Sequence, residues 1–118
     1  MGPLNLAMVL GLAAPDTAIS MQLVLELAGN AERKSVTYQC EGVEQPFVVD
    51  YLNANPNFLA IVPIDHQQLV MAAVVSADGA RYVGGPFEWW TRGTDATFSD
   101  LRDKDVAPVS CSERVDTP

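Results

Sequence analysis

Leu69-Val70-Met71-Ala72-Ala73-Val74-Val75 is followed by Ser76-Ala77-Asp78-Gly79-Ala80-Arg81-Tyr82-Val83-Gly84-Gly85-Pro86, then by Phe87-Glu88-Trp89-Trp90-Thr91 and Arg92-Gly93-Thr94-Asp95-Ala96-Thr97. The first run is almost purely apolar and reads as a strand. The second is turn chemistry, dense in residues that reach unusual backbone angles at low cost. The third returns to strand composition, and Arg92 to Asp95 breaks the chain before Ala96-Thr97-Phe98. Strand, long glycine-rich loop, strand, short loop, strand is the expected order. If each connection is a hairpin, the two loops lie at opposite or obliquely adjacent rims. A hairpin connection is normally two to five residues, so one of about eleven points to function.

Working outward, Lys34 to Cys40 has a period of two: Val36, Tyr38 and Cys40 alternate with Ser35, Thr37 and Gln39, which describes a strand with one buried face. Glu41 to Pro46 turns the chain, Phe47 to Leu52 is the return strand, and Asn53-Ala54-Asn55-Pro56-Asn57 is the next break. Phe58 to Ile64 follows, with Pro63 marking an edge or a bulge. Asp65-His66-Gln67-Gln68 closes a hairpin onto Leu69. Beyond the opening stretch, Asp100 to Asp105 is a polar connection and Val106 to Ser112 a last strand. Seven or so short strands argue an antiparallel barrel or sandwich. Upstream, Asp16 could cap a helix from Thr17 to Ala28, stopped by Gly29-Asn30. Met21, Leu23, Leu25 and Leu27 also alternate as in a strand, so this segment is helical or extended; helix is the expectation.

A chain of 118 residues is one domain with one core. Its 7 Lys plus Arg against 15 Asp plus Glu give a net charge of -8, which argues against nucleic acid as a partner and towards a neutral or basic one. Cys40 and Cys111 are the only cysteines and lack the close pairwise spacing of a zinc or redox site. They read as a disulfide, the competing reading being two buried free thiols. Leu4 to Ala14 has the length and composition of a signal-peptide core, too short to span a bilayer, although Met1-Gly2-Pro3 supplies no positive charge. Residues 1–20 are therefore read as a leader remnant or an artificial start, 21–113 as the folded domain, and 114–118 as a tail. An exported protein is expected.

Chemistry-bearing constellations are few. His66 stands in a turn with one carboxylate neighbour, short of a metal site or a triad. Asp100, Asp103 and Asp105 do not have calcium-loop spacing. Ser76 lacks a nucleophile-elbow context. No enzyme, cofactor or metal is expected. In the long loop, Ser76, Ala77, Gly79 and Ala80 are slim enough to enter a narrow cleft, Ser76 and Tyr82 bring hydroxyls and Arg81 a cation, and Arg92 of the short loop brings a second cation, both able to pair with carboxylates.

Val75-Ser76-Ala77-Asp78-Gly79-Ala80-Arg81-Tyr82 together with Trp89-Trp90-Thr91-Arg92-Gly93-Thr94-Asp95-Ala96-Thr97 resembles the two signature segments of the MliC/PliC family, bacterial inhibitors of C-type lysozyme. Val36-Thr37-Tyr38-Gln39-Cys40, Tyr51-Leu52-Asn53, Leu59-Ala60 and Cys111-Ser112-Glu113 extend the resemblance over about residues 34 to 113. It implies a small antiparallel β-barrel tied by the Cys40–Cys111 disulfide, and a periplasmic protein whose partner is C-type lysozyme. It implies that Ser76, Ala77, Gly79, Ala80, Arg81, Tyr82, Thr91 and Arg92 contact lysozyme, with the loop that carries Ser76 and Tyr82 entering the cleft. No cysteine precedes Cys40, so no stable membrane anchor is expected; a homodimer is left open. The chain departs from the family pattern in carrying Arg92 where lysine is common and Asp78 where a small uncharged residue is usual. A carboxylate at 78 facing catalytic carboxylates would be repelled. The alternative function is a small-ligand or glycan-binding barrel using Tyr82, Trp89 and Trp90 as a stacking platform.

Overall fold

The computed structural model describes residues 19–27 and 29–115. Eight antiparallel strands follow in order: β1 (Glu32–Cys40), β2 (Phe47–Ala54), β3 (Asn57–Ile64), β4 (Gln67–Val74), β5 (Ala80–Gly84), β6 (Phe87–Arg92), β7 (Asp95–Asp100) and β8 (Val109–Glu113). Each pairs with the next, and β8 returns to β1 to close a barrel. The closing ladder sets Tyr38 against Glu113, Gln39 against Ser112 and Cys40 against Cys111. The two cysteines form a disulfide at that seam across a sequence separation of 71. On the chain-entropy model a loop of this size is worth roughly 4 kcal/mol.

The all-β class, the barrel and the disulfide agree with the sequence. The strand count does not: Ala80–Gly84, read above as loop, is β5. The glycines of that stretch misled because Gly84 serves a strand. A Cβ on it would come within 2.6 Å of the Val70 carbonyl oxygen, so β4 and β5 approach as closely as they do only with glycine there. The connection after β4 is therefore five residues, 75–79, and not eleven. A second correction follows from parity. With two strands between them, loop 75–79 and turn 93–94 sit on the same rim.

Other expectations fare variously. The β3–β4 hairpin turns on Asp65 and His66, both at positive φ (49° and 64°), the backbone of a two-residue hairpin turn. Pro63 faces Gln68 of β4 and lies past the last β2–β3 pair, Asp50 with Ile61, where a missing N–H is tolerated. Val106 is exposed in a turn, and the last strand begins only at Val109. The expected helix is not formed over residues 19–27, which carry no regular structure. A barrel closed on itself offers no bare edge, and the mixed spacing of Met21, Leu23, Val24, Leu25 and Leu27 makes no single helical stripe. Asp16, Thr17, Ala18 and Ala28 lie outside the described residues, as does nearly all of the leader-like segment.

Strand alternation sends Tyr38, Val49, Tyr51, Ala60, Val62, Met71, Tyr82, Trp89 and Ala96 inward. Trp89, fully buried, is the centre. The Tyr38 ring meets it edge-on at 5.0 Å and Phe47 packs at 6.0 Å. Its indole N–H donates to the Tyr51 hydroxyl at 2.9 Å, which shares a 2.7 Å hydrogen bond with the Tyr38 hydroxyl. The polar atoms of three large rings thus satisfy one another inside the barrel.

Burial pushes the Tyr38, Tyr51 and Tyr82 phenols above their ordinary value of 10.0, because a phenolate there loses its hydration. In the unfolded chain the same groups release their protons near pH 10. Their contribution is therefore complete below that pH and is lost as the pH rises towards the folded-state values. The urea midpoint is expected to fall between about pH 9 and 12, less steeply in Tyr38→Phe. A midpoint that stays level through this range would contradict the buried network.

Candidate functional site

The rim that holds loop 75–79 and turn 93–94 gathers most of the singled-out residues, and β6 is its anchor. Alternation puts Trp89 inside and turns Glu88, Trp90 and Arg92 outward, beside Arg81 of β5, which pairs in register with Trp90. Three contacts fasten the loop to these strands and a fourth closes it on itself. The Trp90 indole N–H donates to the Asp78 carbonyl oxygen at 3.0 Å. Arg81 Nη1 donates to the Val75 carbonyl oxygen at 3.4 Å. The Ser76 hydroxyl donates to the Gly79 carbonyl oxygen at 3.3 Å, closing the loop on itself. Gly79, at φ +63°, lies so near Thr91 that a Cβ on it would overlap the Thr91 carbonyl oxygen. Thr91 adds a hydroxyl bond to the Ala80 carbonyl oxygen at 3.3 Å.

The two arginines are placed differently. Arg81 is committed: its Nε donates to the nearly buried Glu88 at 2.5 Å, so its charge is balanced at the barrel wall. Arg92 is the outward cation. Its guanidinium carbon lies 3.9 Å from the centre of the Trp90 ring, and its Nε faces the Asp78 carboxylate at 3.4 Å. Asp78 thus turns to an arginine of its own chain, and both groups remain well exposed to solvent. Such a pair is worth about 1 kcal/mol or less and exchanges readily.

Ala77 is exposed, Ser76 and Ala80 half-buried, and Val75 is 94% exposed at the start of the loop. Tyr82 is not on the loop. It is the middle residue of β5, 6% exposed, and its ring faces Tyr51 inside the barrel at 5.6 Å. With Thr91, Lys34 and Glu113 it lines a shallow mouth of about 190 Å3 opening on this rim. The expected stacking platform does not form either: Trp89 is buried, Tyr82 points inward, and both arginines lie over Trp90. Sequence reasoning left Glu88 out of the site, named Trp90 only for the alternative stacking platform, and read Asp78 as a carboxylate aimed at the partner. The signal was available in the alternation of Glu88, Trp90 and Arg92 on one strand face; what hid it was reading Arg81 as a loop residue. His66 lies in the β3–β4 turn on the opposite rim.

A closed barrel, stapled by one disulfide, with a braced loop and a stacked arginine on one rim is the scaffold of a binding protein. Residues 38–107 match the profile of the family of membrane-bound lysozyme-inhibitors of c-type lysozyme, and the chain belongs to that family. It is 42% identical over 95 residues to the membrane-bound lysozyme inhibitor of C-type lysozyme of Pseudomonas aeruginosa, covering 76% of this chain and 74% of that protein. The proteins of the same name from Cupriavidus necator and Escherichia coli are 43% and 35% identical over 68 and 72 residues. These matches cover 58% and 61% of this chain, and 54% and 62% of the relatives. The crystal structure of Pseudomonas aeruginosa MliC in complex with hen egg white lysozyme superposes with a TM-score of 0.70 at 38% identity, over 83% of this chain and 99% of that one.

Gly79→Ala is expected to strain the backbone and lift the loop from β6, lowering stability by about 1–3 kcal/mol while the barrel persists. The Trp90 indole N–H, freed from Asp78, should shift in the NMR spectrum and exchange faster. An unchanged indole signal would show that the Gly79–Thr91 contact does not hold the loop.

Proposed function

We propose that this protein inhibits C-type lysozyme by placing loop 75–79 and Arg92 in the active-site cleft. Lysozyme works with one carboxyl as general acid and a second carboxylate as nucleophile or charge stabiliser, at the bottom of a groove. A narrow loop of Ser76, Ala77, Asp78 and Gly79 suits such a groove in width. Arg92 beside it offers a planar, permanently charged donor to a carboxylate. No bond of the inhibitor is cut; the cleft is filled and peptidoglycan is excluded. The protein acts by binding and performs no catalysis.

The observation that carries this reading is the pairing of the braced loop with Arg92 on one rim, in a barrel that superposes on a relative crystallised with hen egg white lysozyme. Within the site the eight expected contact residues divide into two groups. Ser76, Ala77, Gly79 and Arg92 are at the surface and act directly. Arg81 braces the loop through Val75, Ala80 and Thr91 bond to each other, and Tyr82 supports the rim from within. The net charge of -8 favours encounter with a basic enzyme over long range. A disulfide-stapled fold suits an oxidising compartment, and the periplasm is where such an inhibitor shields the wall.

Lysis of bacterial cell walls by hen egg white lysozyme, followed by turbidity, tests this directly. Arg92→Ala should weaken inhibition by about 10- to 100-fold and Ser76→Ala by about 3- to 10-fold. Asp78→Ser should leave potency unchanged or raise it, since it removes a carboxylate and releases Arg92. Tyr82→Ala opens the core, so Tyr82→Phe is the informative variant and should stay within about threefold of wild type. Absence of inhibition at stoichiometric protein sinks the proposal.

A further inference from the structure

Trp90 stands where loop 75–79, Arg81 and Arg92 meet. It projects from the outer face of β6, where a tryptophan adds nothing to the barrel core. One atom and one ring face are both used: Nε1 holds the Asp78 carbonyl oxygen at 3.0 Å, and the ring carries the Arg92 guanidinium at 3.9 Å. Arg81, pinned by Glu88, lies 5.7 Å from the same ring and reaches the Val75 carbonyl oxygen. Val75 at the start of the loop and Asp78 near its end are therefore tied to one indole and to the arginine above it. Arg92 has a long, rotamer-rich side chain whose ordering costs free energy on binding. A ring that holds the guanidinium beforehand removes part of that cost.

We infer that Trp90 is the positioning residue of the inhibitory site: it sets Arg92 and loop 75–79 in one fixed relation before lysozyme is met. The inference rests on the inhibitor reading for its consequence and on the free protein for its geometry. Asp78 completes the arrangement. Its backbone carbonyl is held by the indole, and its side-chain carboxylate occupies the Arg92 Nε that a partner carboxylate would take. The stack on Trp90 leaves the guanidinium in place when that carboxylate is exchanged.

The test compares Trp90→Phe, Trp90→Leu, Arg92→Ala and the Trp90→Leu/Arg92→Ala pair, each confirmed as folded by circular dichroism and thermal melting. Two readouts are needed. In the free protein, the Arg92 Nε–Hε NMR signal should be shifted by the ring, keep most of that shift in Trp90→Phe and lose it in Trp90→Leu. In calorimetric titration with hen egg white lysozyme, Trp90→Phe should bind about 3- to 10-fold more weakly, the cost of one hydrogen bond. Trp90→Leu should bind about 10- to 100-fold more weakly, because the stack is also lost. The paired variant should lose less than the product of its single losses, by about threefold or more. Simple multiplication of the two losses, or an Arg92 signal indifferent to Trp90→Leu, would overturn the inference. If wild-type protein fails to bind lysozyme, the inhibitor reading falls, while the NMR comparison still decides whether Trp90 positions Arg92.

Discussion

The closure of β1 on β8 is the constraint on which everything else in this molecule rests. The seam consists of Tyr38 against Glu113, Gln39 against Ser112 and Cys40 against Cys111, with the last pair joined covalently. A sheet of short strands left open would expose two rows of unpaired backbone groups and half of its apolar face. Closed, it surrounds Trp89 with Tyr38, Tyr51, Phe47 and Met71, and every large ring inside finds either a ring or a hydroxyl partner. The disulfide is placed where the first and last strands of the barrel must be brought together, which is also where loop-closure entropy opposes folding most.

Closure also settles what lies on which rim. Once β5 is counted as a strand, loop 75–79 and turn 93–94 share a rim, and the mouth lined by Tyr82, Thr91 and Gly93 opens on that rim. The outer faces of β5 and β6 then become a platform. Glu88 pins Arg81, Arg81 and Trp90 hold the loop's carbonyls, and Trp90 carries Arg92. The loop is held by these outward residues, while the inward residues of the same two strands, Tyr82 and Trp89, are buried in the core. One alternation therefore serves stability on one side and recognition on the other.

The fold was legible because its signals are local. The period of two in Val36-Thr37-Tyr38-Gln39-Cys40, the turn residues Asp65 and His66, and the breaks at Gly42, Pro56 and Gly93 depend only on neighbours in the chain. β5 was missed because Gly84 looks like a loop residue in sequence, whereas its reason is the carbonyl of Val70, fourteen positions away in the chain and adjacent in space. The N-terminal segment was misread for the opposite reason. Its composition favours a helix locally, whereas the alternate residues Leu23, Leu25 and Leu27 line one groove with Leu52 and Leu59 of the barrel, an arrangement of an extended segment.

The motif around Ser76 and the one around Trp89 to Thr97 identified the family and the residues to watch, since which side chains are present is a property of the chain alone. Their division of labour is not. Tyr82 faces inward, Arg81 is neutralised by Glu88, Asp78 closes on Arg92, and Trp90 binds the whole together, and each of these follows from strand parity and cross-strand register. Register is decided by how eight strands pack around Trp89 and close on themselves. A reading of the chain by itself lists the cations and hydroxyls; only the closed barrel determines which of them still faces a partner.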